Sequence, residues 1–157
     1  MKITTVNLRT LLPSLLLPAV VGGAGAIIVA AAMPAYALLK KAPLVPPPWV
    51  FAVVWTVLYL LMGLASYRVK SSSCFDKQTA AQVYYIQLAL NFMWVVVFFR
   101  FGQLWGAVAV LAMLIAAIIM TVRRFSDCDK TAAKLLVPYL IWSCIAMYFN
   151  IATAVLN

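Results

Sequence analysis

The sequence predicts an all-α membrane protein, one domain over 1–157 built as a bundle of five transmembrane helices. Three observations carry that prediction. The 157 residues are 67% hydrophobic and 10% charged, with a mean hydropathy of +1.06, whereas soluble domains carry about 25% charged residues. The apolar residues gather into five runs, each close to the roughly 20 residues that a hydrocarbon core requires. No Asp or Glu falls within any run.

The first run, 10–33, follows a polar leader holding Lys2 and Arg9 and ends near Met33-Pro34. Ala19 and Gly23 stand four apart, as do Gly22, Ala26 and Ala30. Such spacing lets helices approach closely in lipid. A cleavable signal is the rival reading, because Ala35-Tyr36-Ala37 has the form of a cleavage site. A signal's apolar region, however, runs about 7–15 residues, and this run is much longer. Residues 34–46 then read as a proline-rich connector with Lys40 and Lys41.

The second run, 47–67, opens at Pro46-Pro47-Pro48-Trp49. Proline suits the first turn of a helix, where an N–H lacks a partner anyway, and an indole suits the headgroup level. Trp55, Tyr59, Met62 and Ser66 follow at spacings of four, three and four, which places them on one helical face. A polar stretch, 68–80, leads to the third run, 81–99, whose Gln87, Asn91 and Trp94 also share a face. After a turn at 100–103 the fourth run, 104–122, has no polar side chain between Trp105 and Thr121. Residues 123–134 read as a charged loop. The fifth run, 135–155, holds Pro138 and Tyr139, and places Trp142, Ala146, Phe149 and Asn150 on one face.

The formal charge is +9. In a soluble chain that excess would suggest nucleic acid. Here the basic residues flank apolar runs, so they read as topology signals and contacts to anionic membrane lipid, with no nucleic-acid partner. Lys2, Arg9, Arg68, Lys70, Lys77, Arg123, Arg124, Lys130 and Lys134 fall on one side, and Lys40, Lys41 and Arg100 on the other. The positive-inside rule then puts the N-terminus of this multi-pass protein in the cytoplasm and the proline-rich connector outside; a bacterial cytoplasmic membrane is the expected location.

Several chemistries are excluded. There is no His, so a Ser–His–acid triad and a His-ligated haem are impossible, and no metal site is expected. Without intramembrane carboxylates, proton- or sodium-coupled transport is disfavoured. Cys74 and Cys128 lie in polar connectors and Cys144 in an apolar run, with no CxxC spacing. That pattern reads as free, unrelated thiols, with a Cys74–Cys128 bridge as the alternative.

What remains is a set of aromatics and amides within the bilayer. A buried amide in lipid needs a partner. Asn91 and Asn150 can tie helices together while the rings simply pack. The same residues can instead line a pocket for a flat apolar ligand with a few polar anchors.

These stretches resemble the translocator protein family, also known as tryptophan-rich sensory proteins and peripheral benzodiazepine receptors. Pro46-Pro47, Trp49-Val50-Phe51, Val54-Trp55-Thr56, Leu58-Tyr59 and Met62-Gly63 follow its second-helix signature. Gln87-Leu88-Ala89-Leu90-Asn91, Trp94 and Phe98-Phe99 follow the third, and Val137-Pro138-Tyr139-Leu140-Ile141-Trp142, Ala146 and Asn150 the fifth. The resemblance runs from about residue 34 to the end. It implies a five-helix bundle, commonly a homodimer, that binds porphyrins, haem and isoquinoline- or benzodiazepine-type ligands, with no cofactor required. It implies a pocket beneath the first connector, lined by Tyr36, Trp49, Trp55, Tyr59, Asn91, Trp94, Trp142 and Ala146. Light-dependent porphyrin breakdown in some bacterial members implies Trp55 and Trp142 as reacting residues; a passive porphyrin or lipid carrier is the further alternative. This chain departs from the family pattern at Ala35, at Lys41-Ala42-Pro43-Leu44 and at Val96. A dimer is expected through the small residues Gly22, Ala26 and Ala30 or Gly102 and Gly106; packing inside one bundle is the alternative use of the same residues.

Overall fold

A computed structural model describes residues 7–157. Five helices account for nearly all of them: α1 Leu8–Leu38, α2 Pro48–Ser71, α3 Lys77–Val95, α4 Leu104–Cys128 and α5 Lys130–Leu156. Each is long and apolar enough to cross a membrane. Around the bundle α1 neighbours α2, α2 neighbours α5, α5 neighbours α4, α4 neighbours α3, and α3 closes the ring on α1. α2 also leans inward onto α3. Helices α3 and α5 stand opposite each other, with no pair of their Cα atoms within 8 Å.

Helical structure extends past the expected apolar runs in all five spans. α1 continues through Pro34 to Leu38, with Pro13, Pro18 and Pro34 inside it, so the expected 34–46 connector shortens. A proline removes one backbone bond, while leaving the helix would strand several more in lipid. The Ala35-Tyr36-Ala37 stretch is thus helical. The expected loop at 123–134 collapses to Asp129 alone, and the one at 68–80 to residues 72–76. Charges end a membrane span without ending a helix. Arg68 and Lys70 occupy the last turn of α2, where cations favour the helix dipole. The third span ends in a π turn over Val96–Arg100, at the position where the family pattern was already broken.

Asp129 lets α5 start at once. Its carboxylate accepts from the amides of Thr131 at 2.7 Å and Ala132 at 3.0 Å, an N-cap, and pairs with Arg68 at 2.9 Å. Burial pushes its pKa up, but the Ala132 amide, Arg68 and the Thr131 amide outweigh burial and hold it below the usual carboxylate value.

The cysteine expectation is corrected. Cys74 and Cys128 form a disulfide, with Cα atoms 5.0 Å apart, and Cys144 alone is free. Their separation of 54 residues carries no spacing signal; short connectors meeting at one end of the bundle bring them together.

Close helix contact comes from two glycines. A Cβ at Gly63 would stand 2.9 Å from the Leu15 Cα and the Ser14 carbonyl oxygen of α1. A Cβ at Gly22 would stand 2.5 Å from ring carbons of Tyr59. Gly22 therefore serves packing inside one bundle. Its neighbour Gly23 meets nothing within 4 Å, and Gly106 meets only Gln103 and Val97 of its own chain.

Candidate functional site

Three helical faces converge on the middle of the ring. α2 contributes Trp55, Tyr59 and Met62, α3 contributes Gln87, Asn91 and Trp94, and α5 contributes Tyr139, Ala146 and Asn150. The polar groups satisfy one another in a directed chain. Tyr59 donates its hydroxyl to Asn91 Oδ1 at 2.7 Å. Asn91 Nδ2 donates to the Tyr139 hydroxyl at 3.1 Å, and that hydroxyl donates to Gln87 Oε1 at 2.9 Å. Gln87 Nε2 ends the chain 3.9 Å from the Met62 sulfur. A second chain runs from Trp94 Nε1 to Asn150 Oδ1 at 3.0 Å, and from Asn150 Nδ2 to the Leu104 carbonyl at 3.2 Å. Within lipid each unmade bond would be costly, so these side chains hold one another in this arrangement.

Aromatic rings wall the network. The Trp55 ring centroid lies 5.6 Å from Tyr59, 6.0 Å from Trp94 and 6.1 Å from Tyr139. Trp94 continues to Phe98 at 6.1 Å, and Phe98 to Tyr36 at 6.1 Å. These separations fall within the range of favourable aromatic pairing. Tyr36 borders a cavity of 110 Å³ shared with Ala32, Ala35, Leu39, Phe98, Phe99, Gly102 and Leu104.

Of the residues singled out in the sequence, Trp55, Tyr59, Asn91 and Trp94 meet in one cluster, and Tyr36 joins it through Phe98. Ala146 is buried on the inward face of α5. Trp142 lies on the seam between α2 and α5, edge-on to Phe51 at 5.5 Å. Its Nε1 is buried and has no partner among the described residues. Trp49 stands apart, 67% exposed on the first turn of α2.

Two residues outside the expected pocket lining also matter. Tyr139 is the hub that both α3 amides reach; its spacing of seven before Ala146 was the available signal. Asn157 folds back on the connector before α2. Its Oδ1 accepts from the Lys40 amide at 3.0 Å and its Nδ2 donates to the Lys40 carbonyl at 2.9 Å. No periodic pattern announces such a contact.

The arrangement offers flat apolar walls, uncharged donors and acceptors, and one unpaired indole N–H. It suits a planar, largely apolar ligand with a few acceptors. Among the described residues no group of three His, Cys, Asp or Glu could hold a metal ion.

A family model and several known proteins match this chain. The model of the TspO/MBR family matches residues 14–156. The chain is 33% identical over 153 residues to the tryptophan-rich protein TspO of Archaeoglobus fulgidus, covering 96% of this chain and 99% of that one. It is 38% identical over 112 residues to the tryptophan-rich sensory protein of Cereibacter sphaeroides, covering 71% and 70%. It is 36% identical over 118 residues to the translocator protein of Bos taurus, covering 73% and 70%. A family match over almost every described residue, on a bundle whose inward faces carry the motif residues, places this chain in the TspO/MBR family as an integral, multi-pass membrane protein.

Proposed function

We propose that this protein binds a planar tetrapyrrole or a related aromatic ligand among α2, α3 and α5, in a sensory or tetrapyrrole-handling role. The observation that carries this reading is the gap between α3 and α5, bridged only by side chains and walled by Trp55, Trp94 and Tyr59. Trp142 Nε1 supplies a donor that no described residue uses. The name of the Cereibacter relative supports the sensory part. Isoquinoline- and benzodiazepine-type molecules share the required shape, and porphyrin or haem fits as ligand, not as built-in cofactor.

Binding demands movement. The 110 Å³ cavity beside Tyr36 is smaller than the roughly 300–1,000 Å³ of ligand pockets. Side chains of the central network must part to admit a tetrapyrrole, with the connector before α2 as the adjacent cover. The N-terminus faces the cytoplasm in this reading, and the protein assembles as a homodimer through faces away from the ring centre, where Gly23 is open.

Quenching of tryptophan fluorescence by protoporphyrin tests the site. Trp55→Phe and Trp142→Phe are each expected to weaken binding about 2- to 10-fold, the worth of one aromatic contact. Unchanged binding in both variants would rule the site out. A second reading, light- and oxygen-dependent porphyrin breakdown, is favoured by Trp55, whose ring touches Trp94, Tyr59 and Tyr139, all oxidisable. Illumination should then bleach bound porphyrin faster than free porphyrin; equal bleaching leaves binding alone.

A further inference from the structure

We propose that the Cys74–Cys128 disulfide is a reversible redox staple that sets the spacing of α3 and α5 at the basic end of the bundle.

Its position argues for this. Cys74 lies in the connector after α2, two residues before Asp76, whose carbonyl accepts the first bond of α3 from Ala80. Cys128 closes α4 and is followed at once by Asp129, the N-cap of α5. The bond therefore joins the start of α3 to the start of α5. Those helices have no Cα atoms within 8 Å of each other. Their first direct bond, Tyr139 to Gln87, lies about 15 Å further in on either helix at 1.5 Å per residue. Between the disulfide and that bond the two helices are held in register only through their neighbours, α4 and α2.

Little else secures the connector. Asp76 reaches Arg124 at 3.3 Å, but both side chains are half exposed, and such pairs contribute little. Opening the disulfide leaves the connector itself tied by one screened ion pair, while α3 stays packed on α4 from Ala80 and Tyr84 inward.

The compartment argues for reversibility. Among the described residues the end that carries this bond holds eight of the eleven Lys and Arg side chains, which orients it toward the cytoplasm. Thiol buffers there keep cysteines reduced, and disulfides that do form are typically transient or redox-sensing. Both cysteines are half-buried, within reach of a small reductant.

The chemistry is an ordinary exchange. A thiolate of a dithiol reductant attacks one sulfur, giving a mixed disulfide and releasing the other cysteine. The second thiol of the reductant then displaces the mixed bond. Two electrons and two protons pass to the protein, leaving Cys74 and Cys128 as thiols and the reductant as its own disulfide. A disulfide oxidant reverses the step.

The change in helix spacing stands alone; its effect on a ligand rests on the binding reading above. The test uses the full chain, first in intact cells with acid quenching and thiol alkylation, then in nanodiscs. In cells the pair should be reduced at rest, form the bond on exposure to a disulfide oxidant and lose it on recovery. In nanodiscs, reduction of the wild-type protein should speed hydrogen exchange at the first turns of α3 and α5 about fivefold, within the range of local openings. The Cys74→Ser/Cys128→Ser variant should show the reduced pattern under both conditions, and protoporphyrin affinity should shift about fivefold, an ordinary coupling. A pair that stays oxidised in cells, or exchange that reduction leaves unchanged, overturns the proposal. Faster exchange with no protoporphyrin binding in either form upholds the staple and defeats the ligand reading instead.

Discussion

The Tyr139 hydroxyl on α5 donates to Gln87 Oε1 on α3 at 2.9 Å, across a gap that the two backbones do not close. The same hydroxyl accepts from Asn91. One phenol thus satisfies two amides inside the membrane, and side chains rather than backbone contact join α3 to α5.

Tyr139→Phe removes one donor and one acceptor at once. We expect a loss of about 1–2 kcal/mol, the range for a buried polar group left unpaired. Detergent-titrated unfolding in mixed micelles measures it. Adding Gln87→Met should cost less than the sum of the single changes, because one stranded acceptor disappears. Strict additivity would show that the two side chains are not coupled.

Gly22 and Gly23 are neighbours with opposite prospects. Gly22→Ala drives a methyl group into the Tyr59 ring, and overpacking of this kind costs about 1–3 kcal/mol. Displacing that ring also lengthens the Tyr59–Asn91 bond, so a shift in tyrosine absorption should accompany the loss. Gly23→Ala meets open space and should leave the monomer unchanged or more stable by up to about 1 kcal/mol, since alanine favours helix. Thermal unfolding of the two variants side by side settles the contrast.

Asp129 makes stability depend on acid. Its carboxyl has a folded-state pKa below the ordinary value, so its contribution is fully present above the unfolded pKa of about 4. That contribution is lost as pH falls through the lower folded value. Asp129→Ala should cost about 1 kcal/mol at neutral pH through the lost cap. Asp129→Asn keeps a capping oxygen and should cost less, losing only the pairing with Arg68. The gap between wild type and Asp129→Asn should close as pH drops below about 4; a constant gap down to pH 3 would contradict the linkage.

Trp142 separates fold from binding. Its Nε1 is already unpaired, so Trp142→Phe sacrifices no hydrogen bond in the free protein. Lost volume against Phe51 offsets the relief of that donor, and stability should stay within about 1 kcal/mol of wild type. Protoporphyrin affinity should nevertheless fall. A variant with wild-type affinity would show that this indole faces no ligand.

Much of this was legible in the sequence. Five apolar runs without acids determined five spanning helices, because lipid leaves the backbone no other way to satisfy its polar groups. Helical spacing alone placed Gln87, Asn91 and Trp94 on one face, and the structure buries all three. Other features needed the assembled bundle. Charged residues marked where the spans end, yet the helices run on through them, so the expected loop at 123–134 shrank to Asp129. Small-residue spacing could not say whether Gly22 faces a partner subunit or the Tyr59 ring, since it serves both kinds of contact equally. The pairing of Cys74 with Cys128, and the meeting of both α3 amides on Tyr139, join residues about 50 apart in the chain. Periodicity reports which face of a helix is apolar, while only the order of helices around the ring decides which faces meet.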